Sequence, residues 1–102
     1  MRIITLKRLQ DFAARHAGSR EAFGQFAWRL EEARWRNLQD VRATFPQADL
    51  VQVASGNKVT VFNVGGNHYR VVAAIPFPLR RVYILAVMTH AEYSRGKWKE
   101  TL

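Results

Sequence analysis

The spacing of hydrophobic positions changes about halfway along the chain. Over the first 45 residues they recur every three or four positions, which is typical of amphipathic helices. After Pro46 they alternate with polar residues or form short continuous runs, as they do in strands. The pattern therefore predicts helices in the first half of the chain and a sheet in the second.

The helical half opens with a β-branched run, Arg2–Leu6, that suits a short strand. A first helix is predicted from Lys7 to the glycine-containing turn at Ala17-Gly18. Ser19 is a suitable N-cap for a second helix. The apolar stripe of that second helix consists of Phe23, Phe26, Ala27, Leu30 and Ala33. Two antiparallel helices joined by a short turn are expected.

A third helical segment is expected to begin at Asn37, which can cap it. It should end at Phe45, because the proline that follows disfavours a helical backbone there. Four strands follow, separated by glycine, asparagine and proline. Their predicted bounds are Asp49–Ala54, Lys58–Val64, Asn67–Ile75 and Arg81–Thr89. A short helix or turn is expected at His90–Trp98. The chain is predicted to be a single α+β domain over residues 1–102, with helices covering one face of a mainly antiparallel sheet.

The turns predict a register for this sheet. If Gly65-Gly66 is a two-residue hairpin turn, Asn63 pairs with His68, and the longer turn around residue 78 places Arg70 beside Val87. Polar residues then gather at one end of the sheet. They are Asn63, His68, Arg70 and His90, with Tyr93 just beyond and Lys58 on the opposite face from Arg70.

Charge and cysteine content narrow the function. Lys and Arg number 16 against eight Asp and Glu, a net charge of +8, and residues 51–102 contain only two of the acids. A domain this basic is a candidate for binding nucleic acid, although it could instead dock on an acidic protein. The chain has no cysteine, which excludes disulfides, thiol nucleophiles and cysteine zinc sites. No apolar run is long enough for a membrane span, and a cytoplasmic protein is expected.

Three side chains carry the candidate chemistry. Arg70 stands in an otherwise apolar strand, where its guanidinium either holds a phosphate or points outward to solvent. His90 is suited to proton transfer or to capping a helix, and Tyr93 to proton donation, to base stacking or to a core position. The histidines and acids show no metal-ligand spacing. A basic, aromatic tail suits RNA contact or a solvated end, and its residues are Arg95, Lys97, Trp98 and Lys99.

Two motifs in order give the chain a family resemblance. The run VFNVGGNHYRVVA at Val61–Ala73, followed by Val82–Ile84 and by THAEY at Thr89–Tyr93, closely resembles the HigB toxins, a branch of the RelE superfamily of bacterial toxin–antitoxin modules. The segment Arg36–Pro46 resembles the family's helix-to-strand connection, and the resemblance spans essentially the whole chain. The family's last motif commonly continues with Asp, where this chain has Ser94.

The resemblance implies a RelE-like fold and a toxin that cleaves mRNA, normally in the ribosomal A site, with no metal or cofactor. The ribose 2′-OH attacks the adjacent phosphate, leaving a cyclic or 3′ phosphate and a free 5′-OH. Arg70 would stabilise charge on the phosphate, and His90 and Tyr93 would share the acid–base work. Secondary contacts to mRNA or ribosomal RNA would come from Lys58, Asn67, His68, Arg95 and Lys97.

The resemblance also implies a partner. A HigA-type antitoxin would neutralise the toxin and carry the helix-turn-helix domain that binds DNA, so this chain would meet DNA only through it. Two alternatives remain open on the sequence. One is a non-catalytic module, or decayed toxin, that only binds RNA, the ribosome or its antitoxin. The other is a protein that is basic only in order to dock on an acidic partner.

Overall fold

Helical and strand segments follow the predicted order in a computed structural model, which describes residues 1–102. The strands are β1 Arg2–Ile4, β2 Asp49–Gln52, β3 Lys58–Val64, β4 Tyr69–Ala74 and β5 Arg81–Thr89. The helices are α1 Leu6–Arg15, α2 Arg20–Glu32, α3 Leu38–Thr44 and α4 His90–Arg95, with 3-10 turns at Phe77–Leu79 and Lys97–Glu100. The predicted α+β class is confirmed. None of the helices has the length and apolar character that crossing a membrane requires.

The five strands form one sheet in the order β1-β5-β4-β3-β2. β1 runs parallel to β5, and all other neighbours are antiparallel. The apolar stripes of α1, α2 and α3 pack on one face of the sheet around Phe62, which has no exposed surface. The prediction that helices cover one face is therefore confirmed, and it explains why the interior of β3 is apolar on this side.

The opposite face carries a second, smaller core. Trp98 packs there from the C-terminal 3-10 turn against valines of β3 and β4 and against Met88. The backbone N–H of Ala54 donates to the carbonyl of Lys99 at 2.9 Å, which fixes the C-terminal segment beside the end of β2. Both faces of the central strands are thus covered, although the sequence pattern predicted a cover on one face only.

The turn between β3 and β4 is longer than predicted. Asn63 pairs with Arg70, and four residues, 65–68, connect the strands, so the predicted pairing of Asn63 with His68 is wrong. Gly65 and Gly66 both adopt positive φ, and the extra residues continue the turn. The register error is two residues, and because side chains alternate with period two, the predicted face of each residue is unchanged.

The register between β4 and β5 differs by one residue. Arg70 lies beside Met88, not beside Val87 as predicted. A bulge at Leu85 restores the predicted register beyond it, where Ala73 pairs with Ile84. The carbonyl of Leu85 accepts a hydrogen bond from the Arg8 guanidinium. Val87 consequently packs on the helix side, whereas Met88 shares the face of Arg70.

Two predicted helix caps have different outcomes. Asn37 caps α3, since its side-chain oxygen accepts from the N–H of Asp40 at 3.0 Å. Ser19 occupies the N-cap position of α2, but its hydroxyl donates to the carbonyl of His16 at 2.6 Å and does not cap the helix. The hydroxyl therefore ties the turn to the end of α1.

The two glycines of the β3–β4 turn give a matched pair of substitutions. Both have left-handed backbone, but a Cβ at Gly65 would lie 3.0 Å from the ring of Tyr69, whereas a Cβ at Gly66 would meet nothing. We expect Gly66→Ala to lower the free energy of unfolding by about 1 kcal/mol, the cost of left-handed backbone. Gly65→Ala should cost roughly twice as much, because Phe12 and Phe23 also pack on the Tyr69 ring. Urea unfolding measures both losses, and equal losses would show that the ring moves aside freely.

Candidate active site

The candidate site lies where β4 begins, β5 ends and α4 starts. A capping box sets the geometry of α4: the Thr89 hydroxyl accepts from the N–H of Glu92, and the Glu92 carboxylate accepts from the N–H of Thr89, both at 3.2 Å. The N–H of His90 also donates to the carbonyl of His68 at 2.8 Å. These bonds fix the first turn of α4, and Tyr93 follows His90 by three residues, so both lie on the same side of that turn.

Arg70 is buried, with 6% of its surface exposed, so the alternative of an outward, solvated charge is wrong. Its Nη1 donates to the carbonyls of Asn67 and Tyr69 at 3.2 and 3.0 Å, and its Nη2 to the Asn67 side-chain oxygen at 2.6 Å. All three acceptors are neutral, and neither ion pair of the structure includes Arg70. A buried cation without a carboxylate partner is suited to receive an anion.

His90 is hydrogen-bonded to Arg70, with 3.0 Å between His90 Nδ1 and Arg70 Nη2. A guanidinium can only donate, so Nδ1 is the acceptor, and the neutral imidazole carries its proton on Nε2. His90 therefore supports Arg70 with one nitrogen and offers an N–H donor with the other. It is the first residue of α4, and the capping role belongs to Thr89.

The Tyr93 ring lies between an indole and a guanidinium. Trp98 stacks on it at 5.2 Å with planes 20° apart and donates its indole N–H to the Tyr93 carbonyl at 3.1 Å. The Arg70 guanidinium carbon lies over the ring at 5.4 Å. With these two neighbours on the ring, the geometry favours a role for the hydroxyl and does not favour stacking on a base.

The phenol of Tyr93 holds its proton tightly. Burial raises its pKa above the ordinary value of 10.0, the Asp49 carboxylate raises it further, and Arg70 opposes the rise. The hydroxyl is thus neutral near pH 7. In that state it can donate a proton to a leaving group, but it is a poor acceptor.

The other predicted residues are distributed unevenly. Asn67 belongs to the cluster through its two contacts with Arg70, and His68 lies exposed in the turn beside it. Arg95 and Lys97 are exposed at the end of α4 and just after it, and neither makes a hydrogen bond to the cluster. Lys58 lies five residues along β3 from the partner of Arg70, about 16 Å away, and on the opposite face. The predicted face of Lys58 is confirmed, and the structure places it outside the cluster.

Two residues near the site were missed by the sequence analysis. Gln47 accepts a hydrogen bond from the Asn63 amide at 2.8 Å, and Asn63 is the register partner of Arg70. Asp49 begins β2 opposite Val61, which puts it on the same face of the sheet as Arg70. The alternation of side chains along β2 could have placed Asp49 on this face, but only if the register of β2, β3 and β4 had been known. No three histidine or acidic side chains form a group that could hold a metal ion.

Comparison with known proteins gives a consistent result. The sequence model of the HigB toxin family, described as the RelE-like toxic component of a toxin–antitoxin system, matches residues 19–96. The chain is 34% identical over 93 residues to the mRNA interferase toxin HigB of Escherichia coli K12, an alignment that covers 91% of this chain and 88% of that relative. It is similar to the same extent to the mRNA interferase HigB of Shigella flexneri. The mRNA interferase HigB of Escherichia coli O6:H1 is 28% identical over 95 residues, with 93% and 90% covered.

Proposed function

Since the chain belongs to the HigB family, the RelE-like toxic components of toxin–antitoxin systems, we propose that it is a toxin that cleaves mRNA. Its relatives are named mRNA interferases, and the match agrees with the resemblance predicted from its motifs. The observation that carries the proposal is the buried Arg70, whose charge no carboxylate balances and which contacts both His90 and Tyr93. A phosphodiester supplies the missing anion.

The proposed reaction uses the side chains at this site. Arg70 binds the scissile phosphate and stabilises the charge that develops on it when the ribose 2′-oxygen attacks. Tyr93 presents its hydroxyl proton to the departing 5′-oxygen, and the Nε2–H of His90 donates a hydrogen bond to an oxygen of the reacting group. The reaction is metal-independent, and the products are a 2′,3′-cyclic or 3′ phosphate and a free 5′-OH.

The proposal also includes the partners of the toxin and the compartment in which it acts. The net charge of +8 suits binding to mRNA in the A site of the ribosome, with exposed contacts from His68, Arg95 and Lys97. A HigA-type antitoxin neutralises the toxin and binds the operator DNA, and the toxin acts in the cytoplasm.

The test is to induce the protein without its antitoxin in growing bacteria and to map new 5′ ends in mRNA. We expect growth arrest and fresh 5′-OH ends inside coding regions. Both should disappear in a His90→Ala, Tyr93→Phe double variant, which lacks both proton donors. Tyr83→Phe is the matched control, since Tyr83 contacts Arg81 and lies outside the site, and it should arrest growth like the original protein.

Two results would reject the proposal. If folded wild-type protein leaves growth and message intact, the chain is a binding module or a decayed toxin. If the double variant produces the same ends as the wild type, the cleavage comes from elsewhere.

A further inference from the structure

The proposed reaction requires a group that accepts the proton of the 2′-hydroxyl, and neither proposed acid–base residue is free to do so. The Nδ1 of neutral His90 already accepts from Arg70, and its Nε2 carries a proton. The neutral Tyr93 phenol is a donor, and its ring is held by Arg70 and Trp98. Both side chains are therefore arranged as donors, and the base has to come from another residue.

Asp49 is the carboxylate that the fold places on the active face. Its register partner is Val61, which pairs in turn with Val72, two residues along β4 from Arg70. With strands about 4.8 Å apart and a rise of about 3.3 Å per residue, the Cα atoms of Asp49 and Arg70 are roughly 12 Å apart. The two side chains project from the same face, and Val61 and Val72 lie between them in the sheet.

Tyr93 lies between these two charged groups. Its ring packs against the small core that contains Val61 and Val72, the residues separating Asp49 from Arg70 across the sheet. Asp49 influences the Tyr93 phenol electrostatically, as the raised pKa of the phenol shows. The Asp49 side chain is 66% exposed, so a substrate can reach it. Its ion pair with Arg42 is exposed and long, with 3.9 Å between Arg42 Nη2 and Asp49 Oδ1.

The other acidic side chains are not available. Four of them lie on α1 and α2, over the opposite face of the sheet: Asp11, Glu21, Glu31 and Glu32. Asp40 lies on α3, which also packs on the opposite face, and Glu92 is used in the capping box of α4. Glu100 lies in the C-terminal 3-10 turn, and Asp49 is the carboxylate that acts on the Tyr93 phenol.

We propose that Asp49 is the general base of the cleavage reaction, a catalytic residue contributed by β2. The inference rests on the proposed function. The Asp49 carboxylate removes the proton from the 2′-hydroxyl as the 2′-oxygen forms its bond to phosphorus. The bond from phosphorus to the 5′-oxygen breaks, and the Tyr93 hydroxyl gives its proton to that oxygen. Asp49 ends protonated and Tyr93 deprotonated, and exchange with water restores both.

The experiment adds purified protein to a cell-free translation reaction and measures the rate at which new 5′ ends appear in a reporter mRNA. Asp49→Asn should lower this rate about 100-fold, the usual contribution of general base catalysis. Binding to RNA should not weaken, because the substitution removes a negative charge from a basic protein. Asp49→Ala should regain part of its rate when formate is added, since a small carboxylate can then occupy the vacated space.

Two controls separate catalysis from structure. Arg42→Gln removes the ion-pair partner of Asp49, and Asp40→Asn removes a carboxylate that is ion-paired on α3; both should cleave at rates close to that of the wild type. If Arg42→Gln slows cleavage as much as Asp49→Asn, the ion pair is structural and the proposal is wrong.

The two proposals fail in different ways. If the wild type cleaves and Asp49→Asn cleaves equally fast, Asp49 is not the base, while the mRNA interferase function stands. If the wild type produces no new ends, the proposed function falls, and the role of Asp49 falls with it. Loss of rate in Asp49→Asn with no rescue of Asp49→Ala by formate would also reject a base at this position.

Discussion

Arg70→Lys is expected to lower the rate of mRNA cleavage about 100- to 1,000-fold, the usual loss when one preorganised donor to a developing charge is removed. Lysine keeps the positive charge but has no planar fork. It cannot reach Asn67, Tyr69 and His90 together as the two Nη atoms of Arg70 do. The phosphate would then meet a charge whose position is no longer fixed.

The control for Arg70→Lys is Arg81→Lys. Arg81 begins β5, at the opposite end of that strand from the site, and its guanidinium donates a hydrogen bond to the Tyr83 hydroxyl. Cleavage rates in the cell-free translation reaction, with circular dichroism to verify folding, distinguish the two variants. Arg81→Lys should be nearly as active as the wild type. If Arg70→Lys were equally active, positive charge alone would suffice, and the hydrogen bonds around Arg70 would have no catalytic value.

Phe62→Ala is expected to lower the free energy of unfolding by about 3–5 kcal/mol, the usual cost of removing a fully buried phenylalanine side chain. Phe62 has no exposed surface, and the rings of Phe26 and Phe45 lie 5.2 Å from its own, with Trp35 stacked at 6.1 Å. These neighbours come from α2 and from the segments on either side of α3. The cavity would therefore remove contacts that hold the helices on the sheet.

Urea unfolding measures the loss for Phe62→Ala, and Leu79→Ala is the control. Leu79 is also apolar but 58% exposed, so its truncation should change stability by less than about 0.5 kcal/mol. Since proteins of this size are stable by only about 5–15 kcal/mol, Phe62→Ala should remove a large part of the stability and lower the urea midpoint markedly. A loss below about 1 kcal/mol would mean that the neighbouring side chains and helices move to fill the cavity left by the Phe62 ring.

The order of the elements was predictable from the sequence because the hydrophobic period changes once, near Pro46, and because Asn37 and Phe45 delimit α3 by local rules. The register was less predictable. Nothing local distinguishes a two-residue turn at Gly65-Gly66 from the observed four-residue turn, and nothing local marks the bulge at Leu85.

The candidate site was predictable in part. Arg70, His90 and Tyr93 were identified by residue type and by resemblance, and the end of the sheet where they meet followed from the strand order. The burial of Arg70 was not predictable, because it depends on contacts with Asn67, His90 and Tyr93 on a face that was expected to be open. Asp49 was missed because its closeness to Tyr93 depends on the register of three strands.

The position of β1 has a consequence for the order in which the protein is completed during synthesis. β1 leaves the ribosome first, yet its only partner in the sheet is β5, the last strand to be made. The end of β5 also leads into α4, and the indole that holds Tyr93 follows later still. A nascent chain therefore has no assembled site until Trp98 has emerged, so cleavage of mRNA cannot begin with the message from which that chain is still being made.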